Sequence, residues 1–267
     1  MHAIRFPAIG LELTINPVAF SVLGKPIYWY GIIIAVGFAL AILYAMREAK
    51  RVGVKGDALM DMVLIGAPSA IICARLYYVI FSWDYYSQHP GEIIAIWEGG
   101  LAIYGGLIGA FVSAAIYAKI KKLSLPAILD VAAPGFLLAQ SIGRWGNFVN
   151  QEAFGGPTSL PWRMELFLPE ENAYVAVHPT FLYESLWNLA GFFLLFAVRK
   201  KKPFDGFLFY AYLLWYGLGR VWIEGLRADS LYLGPLRVSQ WLAGSCVVVC
   251  SVIIGVKLYR QKRTRMR

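Results

Sequence analysis

Arg144 and Arg220 are the residues with the clearest chemistry. Each falls at the end of an apolar run, where a charge near hydrocarbon costs at least ~2 kcal/mol unless it is paired or hydrated. Two guanidinium forks at one membrane depth suit bidentate binding of a phosphate. Around Arg144 the chain reads Gly143-Arg144-Trp145-Gly146-Asn147-Phe148-Val149-Asn150-Gln151-Glu152, with Gly155 and Gly156 following. Such a turn can offer backbone N–H groups, the Asn147 and Asn150 amides and an arginine to an anion. The plainer alternative is a capped helix end with polar residues facing water. Around Arg220 the stretch from Gly219 to Asp229 places Arg220, Glu224 and Arg227 at i, i+4 and i+7, on one helical face. Two further groups have weaker claims. Tyr104 precedes Gly105-Gly106, where small residues permit tight helix packing, and Tyr30 sits in Tyr28-Trp29-Tyr30-Gly31, where an aromatic belt is the default explanation. Arg75 also lies within an apolar run, and the plainer reading of all three arginines is that they snorkel to headgroups or pair with Glu98, Glu152, Glu184 or Glu224 to hold the bundle.

The elements that would hold these residues are membrane spans. The chain has 267 residues, 59% hydrophobic and 15% charged, against roughly 25% charged in an average soluble domain. Apolar runs occur at Tyr28–Met46, Leu59–Phe81, Leu101–Ile120, Ile128–Trp145, Phe181–Val198, Phe207–Ile223 and Val238–Tyr259. Each approaches the ~20 residues a helix needs to cross a ~30 Å core. The expected fold class is therefore an all-α integral membrane protein of seven transmembrane helices, a single polytopic domain over Met1–Arg267. The segment before the first run contains Pro7, Pro17 and Pro26 and lacks the order of a cleavable signal peptide, so the first span is expected to be retained.

Charge placement gives the expected orientation. Seventeen of the 25 basic residues fall in alternate loops and the tail: Arg47 to Lys55, Lys119 to Lys122, Arg199 to Lys202 and Lys257 to Arg267. Positive charge collects in short cytoplasmic loops, which puts the N-terminus outside and the C-terminus in the cytoplasm. The net charge of +9 is then topological, and a nucleic-acid partner, which would need a basic face on a soluble module, is excluded. Asn147–His178, with several Pro and Gly, reads as a small irregular extracytoplasmic cap, and Met1–Pro26 as an amphipathic arm on the same side. Cys73, Cys246 and Cys250 lie inside apolar runs without metal-ligand spacing. His2, His89 and His178 are too scattered for a ligand set, so neither a metal nor a cofactor is expected.

GRWGNFVNQEAFGG, from Gly143 to Gly156, closely resembles the signature of the bacterial prolipoprotein diacylglyceryl transferases. YWYG at Tyr30, WEGGLAIYGGLIGA from Trp97, HPTFLYES from His178 and GRVWIEGLRADS from Gly219 look like the family's other blocks, in the same order. The resemblance implies a seven-span inner-membrane enzyme. It would move the diacylglyceryl group of phosphatidylglycerol, drawn from the surrounding membrane lipids, onto the lipobox cysteine of a prolipoprotein signal peptide and release glycerol phosphate. It also implies that Arg144 and Arg220 contact the headgroup, with Tyr30, Asn147, Glu152, Gly155 and Glu224 shaping the site. Many members carry a histidine where this chain has Tyr104, so a histidine base is not assumed.

The implied reaction needs thiolate character and neutralisation of a developing phosphate. Paired arginines serve the second need and lower a thiol pKa from ~8.5. Tyr104, with an ordinary pKa near 10, is a poor base, which leaves Glu152 and His178 as alternatives. A transporter would instead show an inverted repeat with broken helices, and a protease a G-x-S-x-G or H-E-x-x-H motif; the chain has neither.

Overall fold

The computed structural model describes residues 3–227 and 232–265. His2, Arg267 and the motif residues Ala228, Asp229 and Ser230 lie outside the described residues. Helices form at all seven expected places: α1 (Trp29–Val52), α2 (Gly56–Phe81), α4 (Ile103–Ile120), α5 (Leu125–Asn150), α6 (Thr180–Val198), α7 (Phe207–Glu224) and α8 (Val238–Arg265), with a single-turn α3 (Trp83–Tyr86) after α2. Several run beyond the apolar stretches. α1 continues through Arg47, Lys50 and Arg51, because a helix ends where its backbone bonding ends rather than where hydrophobicity does. Among the described residues six helices are long and apolar enough to cross a membrane, and α7 is not among them. Its five Tyr and Trp residues, together with Arg220 and Glu224, dilute its hydropathy.

The all-α expectation is corrected by β-structure in the segments read as an amphipathic arm and an irregular cap. Near the N-terminus lie β1 (Ile4–Phe6), β2 (Leu11–Leu13), β3 (Val18–Val22) and β4 (Lys25–Tyr28); the cap holds β5 (Met164–Leu168) and β6 (Ala173–Val177), and a two-residue pair, β7 (Tyr232–Leu233) and β8 (Leu236–Arg237), precedes α8. Strands β2-β1-β5-β6 make one antiparallel sheet, joined across the chain by Arg5 opposite Glu165. Pro and Gly obscured these strands. In MELFL the buried Met164 and Leu166 alternate with partly exposed Glu165 and Phe167, a period-2 signal only five residues long, while in AYVAV only Val177 is buried. The arm read at Met1–Pro26 is thus a pair of hairpins. The helix before the cap runs through Asn150, so cap structure begins beyond it.

Two compact units can be described separately: Met1–Tyr44 with Leu129–Arg267, and Ala45–Ile128. In the first, Ile4, Met164, Leu166 and Val177 of the sheet share one core with Phe148 of α5 and Phe181 of α6. Phe148 and Phe181 stack with centroids 4.6 Å apart. The sheet is thereby seated on the two helix ends that carry Arg144 and Glu184. Deeper in the bundle, Ala133, Leu137, Leu195 and Leu208 join α5, α6 and α7. Asp130, buried on α5, accepts hydrogen bonds from the Gly206 and Phe209 N–H groups (2.8 and 3.1 Å) and from Lys202 Nζ (2.8 Å). It thus satisfies otherwise orphaned donors at the start of α7.

In the second unit α2 and α4 lie close together. Gly105 faces the Cys73 carbonyl, and a methyl at Gly109 would stand 2.5 Å from the Ser69 carbonyl oxygen. Arg75, only 6% exposed, has no carboxylate partner among the described residues. Its guanidinium donates instead to four main-chain carbonyls, at Glu92 (2.5 Å), Ile93 (2.8 Å), Gly99 (2.9 Å) and Gly100 (3.1 Å). Gly99 and Gly100 reach this arginine through positive φ values of 93° and 69°, which glycine adopts without a steric penalty. A buried charge is thus satisfied by orienting the loop before α4.

Candidate active site

Three helices of the first unit bring charged side chains to one point. Arg144 stands near the end of α5, Glu184 in the first turns of α6, and Arg220 and Glu224 in the last turns of α7. Arg144 Nη2 is 2.5 Å from Glu184 Oε2, while Arg220 Nη1 is 3.4 Å from Glu184 Oε1 and its Nη2 is 2.7 Å from Glu224 Oε2. One carboxylate therefore turns an oxygen to each arginine. The side chains of Arg144 and Arg220 are 21% and 19% exposed, those of Glu184 and Glu224 only 6% and 4%. The cations face outward and the anions lie behind them.

Local packing fixes this meeting. Next to Arg144, Trp145 Nε1 donates to Ser185 Oγ (3.2 Å), and Ser141 Oγ donates to the Ser185 carbonyl (2.8 Å), tying α5 to α6 beside Glu184. Between α6 and α7, Trp187 and Trp215 stack 4.3 Å apart, each indole N–H donating to the other's main-chain oxygen at 2.9 Å. Gly219 and Gly191 lie directly against these rings, where a Cβ would collide. Arg237, buried before α8, donates to the Glu224 carbonyl, and Gln240 Nε2 donates to the Val221 carbonyl at 2.8 Å, holding the end of α7.

The second half of the Gly143–Gly156 stretch extends the network. Arg144 Nη1 donates to Asn147 Oδ1 (3.2 Å), Asn147 Nδ2 donates to Glu152 Oε1 (2.9 Å), and Asn150 Nδ2 reaches the same oxygen at 3.5 Å. Glu152 is exposed. Gly155 pairs antiparallel with Arg227, and Gly156 N–H donates to the Leu226 carbonyl at 2.8 Å, so the two motifs meet through their backbones. Tyr30 packs against the same turn of α5: a methyl at Gly146 would stand 2.8 Å from its ring. Beside it a cleft of about 600 Å³ is lined by Pro26, Tyr28, Tyr30, Ile32, Ala35 and Asn150, among others. His178 is engaged structurally, its N–H and C=O pairing with Gly156 and Gly155 and its ring 3.4 Å from the Tyr183 hydroxyl.

This architecture coincides with a strong match to a known family. The model for prolipoprotein diacylglyceryl transferase matches residues 17–256. The chain belongs to that family. Proteins named phosphatidylglycerol–prolipoprotein diacylglyceryl transferase from Lysinibacillus sphaericus, Bacillus mycoides and Limosilactobacillus reuteri are 47%, 51% and 48% identical to it. Those alignments cover 96%, 87% and 95% of this chain, and 96%, 88% and 94% of the relatives. With six apolar helices of spanning length, the family member is a multi-pass membrane protein.

Of the residues expected from the sequence, Tyr30, Arg144, Asn147, Asn150, Glu152, Gly155, Arg220, Glu224 and Arg227 all lie in the first unit, linked as described. Tyr104 opens α4 in the second unit, 42% exposed. Sequence reasoning weighed Glu184 only as one of several pairing partners, yet it is the carboxylate on which both arginines close. The signal was present: Glu184 is the sole charged residue in Thr180–Val198, and a lone charge in an apolar helix marks a function or a partner.

Proposed function

We propose that this chain transfers the diacylglyceryl group of phosphatidylglycerol to the cysteine thiol of a prolipoprotein lipobox, forming a thioether and releasing glycerol phosphate. This is the first step of lipoprotein maturation. The observation that carries the reading is the convergence of Arg144 and Arg220, from different helices, with their outward-facing guanidinium groups on one carboxylate. In the reaction the cysteine sulfur bonds to the glycerol carbon that bears the phosphate. The carbon–oxygen bond breaks, its electron pair leaves with the phosphate monoester, and the thiol proton passes to a base. Arg144 and Arg220 meet the charge developing on that phosphate, where fixed donors in a poorly solvated site are most effective.

Asn147 couples this pair to Glu152, which we assign as the proton acceptor: one carboxylate oxygen is steadied by amides while the side chain stays open to substrate. His178 is the weaker candidate because its backbone and ring serve the packing of the Gly155 turn. Tyr30, Asn150, Gly155, Glu224 and Arg227 are assigned to shaping and binding. The involvement of Tyr104 rests on its motif alone; if it acts through its hydroxyl, Tyr104→Phe lowers kcat about fivefold, the worth of one hydrogen bond, and an unchanged rate removes it from the reaction.

α7 is read as the seventh span, its two charges neutralised within the bundle and its aromatic residues packed there. The distribution of basic loops supports an N-terminus outside, a cytoplasmic C-terminus and a site facing outward in the bacterial inner membrane. On this reading Met1–Arg267 is one polytopic domain with the Asn147–His178 insertion as its cap. The test is the purified chain in phosphatidylglycerol micelles with a lipobox peptide. A thioether-linked diacylglyceryl peptide is expected by mass spectrometry, and none from a peptide with Ser in place of Cys. No product from folded protein refutes the proposal.

A further inference from the structure

Arg144 and Arg220 are already closed on an anion. Glu184 presents Oε2 to Arg144 at 2.5 Å and Oε1 to Arg220 at 3.4 Å, one oxygen to each cation, as the two unesterified oxygens of a phosphodiester would. The groups around it are Arg144 from α5, Arg220 and Glu224 from α7, and Ser185 beside it on α6. A phosphate arriving at both arginines therefore competes with a carboxylate already there. The two legs are unequal. At 2.5 Å the Arg144 contact is short for a charge-assisted bond, whereas 3.4 Å lies beyond the usual ~2.7–2.9 Å. Arg220 also keeps Glu224 at 2.7 Å when it lets Glu184 go.

We infer that Glu184 is a positioning residue that holds the two arginines as an internal anion and yields its place, first at Arg220, to the phosphate of the lipid in each turnover. This rests on the reading that the headgroup binds Arg144 and Arg220. Without such a carboxylate the two guanidiniums would repel one another in a poorly solvated site. With it they are kept at a spacing that two oxygens of one anion can span. The same carboxylate returns as glycerol phosphate departs, which keeps the product from holding the site.

The test separates KM from kcat. In Glu184→Gln the shape remains while the competing charge is gone. Its KM for phosphatidylglycerol and its inhibition constant for added glycerol 1-phosphate are each expected to fall about fivefold, the net worth of about one hydrogen bond's competition removed. Its kcat should fall with them, because the product leaves more slowly. Glu184→Asp keeps the charge one methylene further back and should shift both constants the same way by less; it serves if the Gln variant is poorly folded. A carboxylate that merely braces the helices would lower kcat and thermal stability with KM and the inhibition constant unmoved. That result, alongside lipid transfer by the unaltered chain, overturns the role of Glu184 and leaves the proposed function standing. No transfer by the unaltered chain overturns both.

Discussion

Replacing Arg220 by lysine asks whether the planar fork, rather than the charge, is what the site uses. Arg220 spreads its two terminal nitrogens over two carboxylates, Nη2 to Glu224 at 2.7 Å and Nη1 toward Glu184 at 3.4 Å. A lysine ammonium is a single point on a flexible stem and cannot present that pair of parallel donors. If phosphate takes the Nη1 side while Glu224 keeps Nη2, lysine forfeits one charge-assisted hydrogen bond in the transition state. Such bonds are worth about 1.5–3 kcal/mol, which at 1.36 kcal/mol per tenfold lowers kcat/KM by about 10- to 150-fold. Arg220→Ala removes both contacts from a poorly exposed cluster of charges, so it also destabilises the fold and is the less informative change. The assay is initial-rate lipidation of a fluorescent lipobox peptide in mixed micelles, with folded protein quantified by size-exclusion chromatography. An Arg220→Lys enzyme within about twofold of the parent, the scatter of an ordinary exposed ion pair, would refute the fork argument.

Other perturbations address the supports of the site. Gly155→Ala sets a methyl 2.6 Å from His178 Cβ and 2.9 Å from the Leu226 carbonyl, whereas at Gly156 the nearest atom is 3.9 Å away. The first change is expected to cost about 1–3 kcal/mol of overpacking and most of the activity, the second little of either, as read by lipidation and thermal unfolding. Arg75→Lys loses at least two of the four carbonyl contacts, about 3 kcal/mol at the strength of charged hydrogen bonds, and should speed protease cleavage between Ser87 and Ala102. At Lys202 burial disfavours the ammonium, but hydrogen bonds to Asp130 and Asp205 outweigh it and raise the pKa. The stabilisation is therefore complete below the unfolded value near ~10.4 and lost as pH rises through the higher folded one. Thermal scans should show an alkaline loss of stability in the parent that Lys202→Met lacks; parallel curves would exclude the linkage.

The legible parts of the molecule were those set by one-dimensional signals. Runs of apolar residues marked the position of all seven helices, six of which, among the described residues, are long and apolar enough to cross a membrane. Arg144 and Arg220 stood out because charges are rare in such runs. What stayed hidden depended on partners far along the chain. Arg75 looked like a residue awaiting a carboxylate, but its partners are main-chain oxygens of a loop, which carry no side-chain signature. The Trp187–Trp215 clasp needs two helices in register before either indole is recognisable as a bond donor. The hairpins holding Arg5 and Glu165 have strands of three to five residues and meet across 160 positions at that one pair, so neither shows by itself that the two form one sheet.

The placement of that sheet has a mechanical consequence for the charges beneath it. Phe148 and Phe181 belong both to the sheet's core and to the helix ends bearing Arg144 and Glu184, while Gly155 and Gly156 tie the following turn to Leu226 and Arg227 at the exit of α7. All three helix ends are thus clamped from above by the cap and from the side by the Ser185 and tryptophan contacts. A contact of 3.4 Å between Arg220 and Glu184 inside so constrained a frame is informative. Arg220 keeps its nearer contact with Glu224, at 2.7 Å, and its longer one with Glu184, whereas Arg144 closes fully on Glu184 at 2.5 Å. Glu224 is thus the nearer partner of Arg220, and the Glu184 contact is the one an incoming phosphate would displace first. On this view the clamp around the arginines keeps one side of the cradle open to exchange.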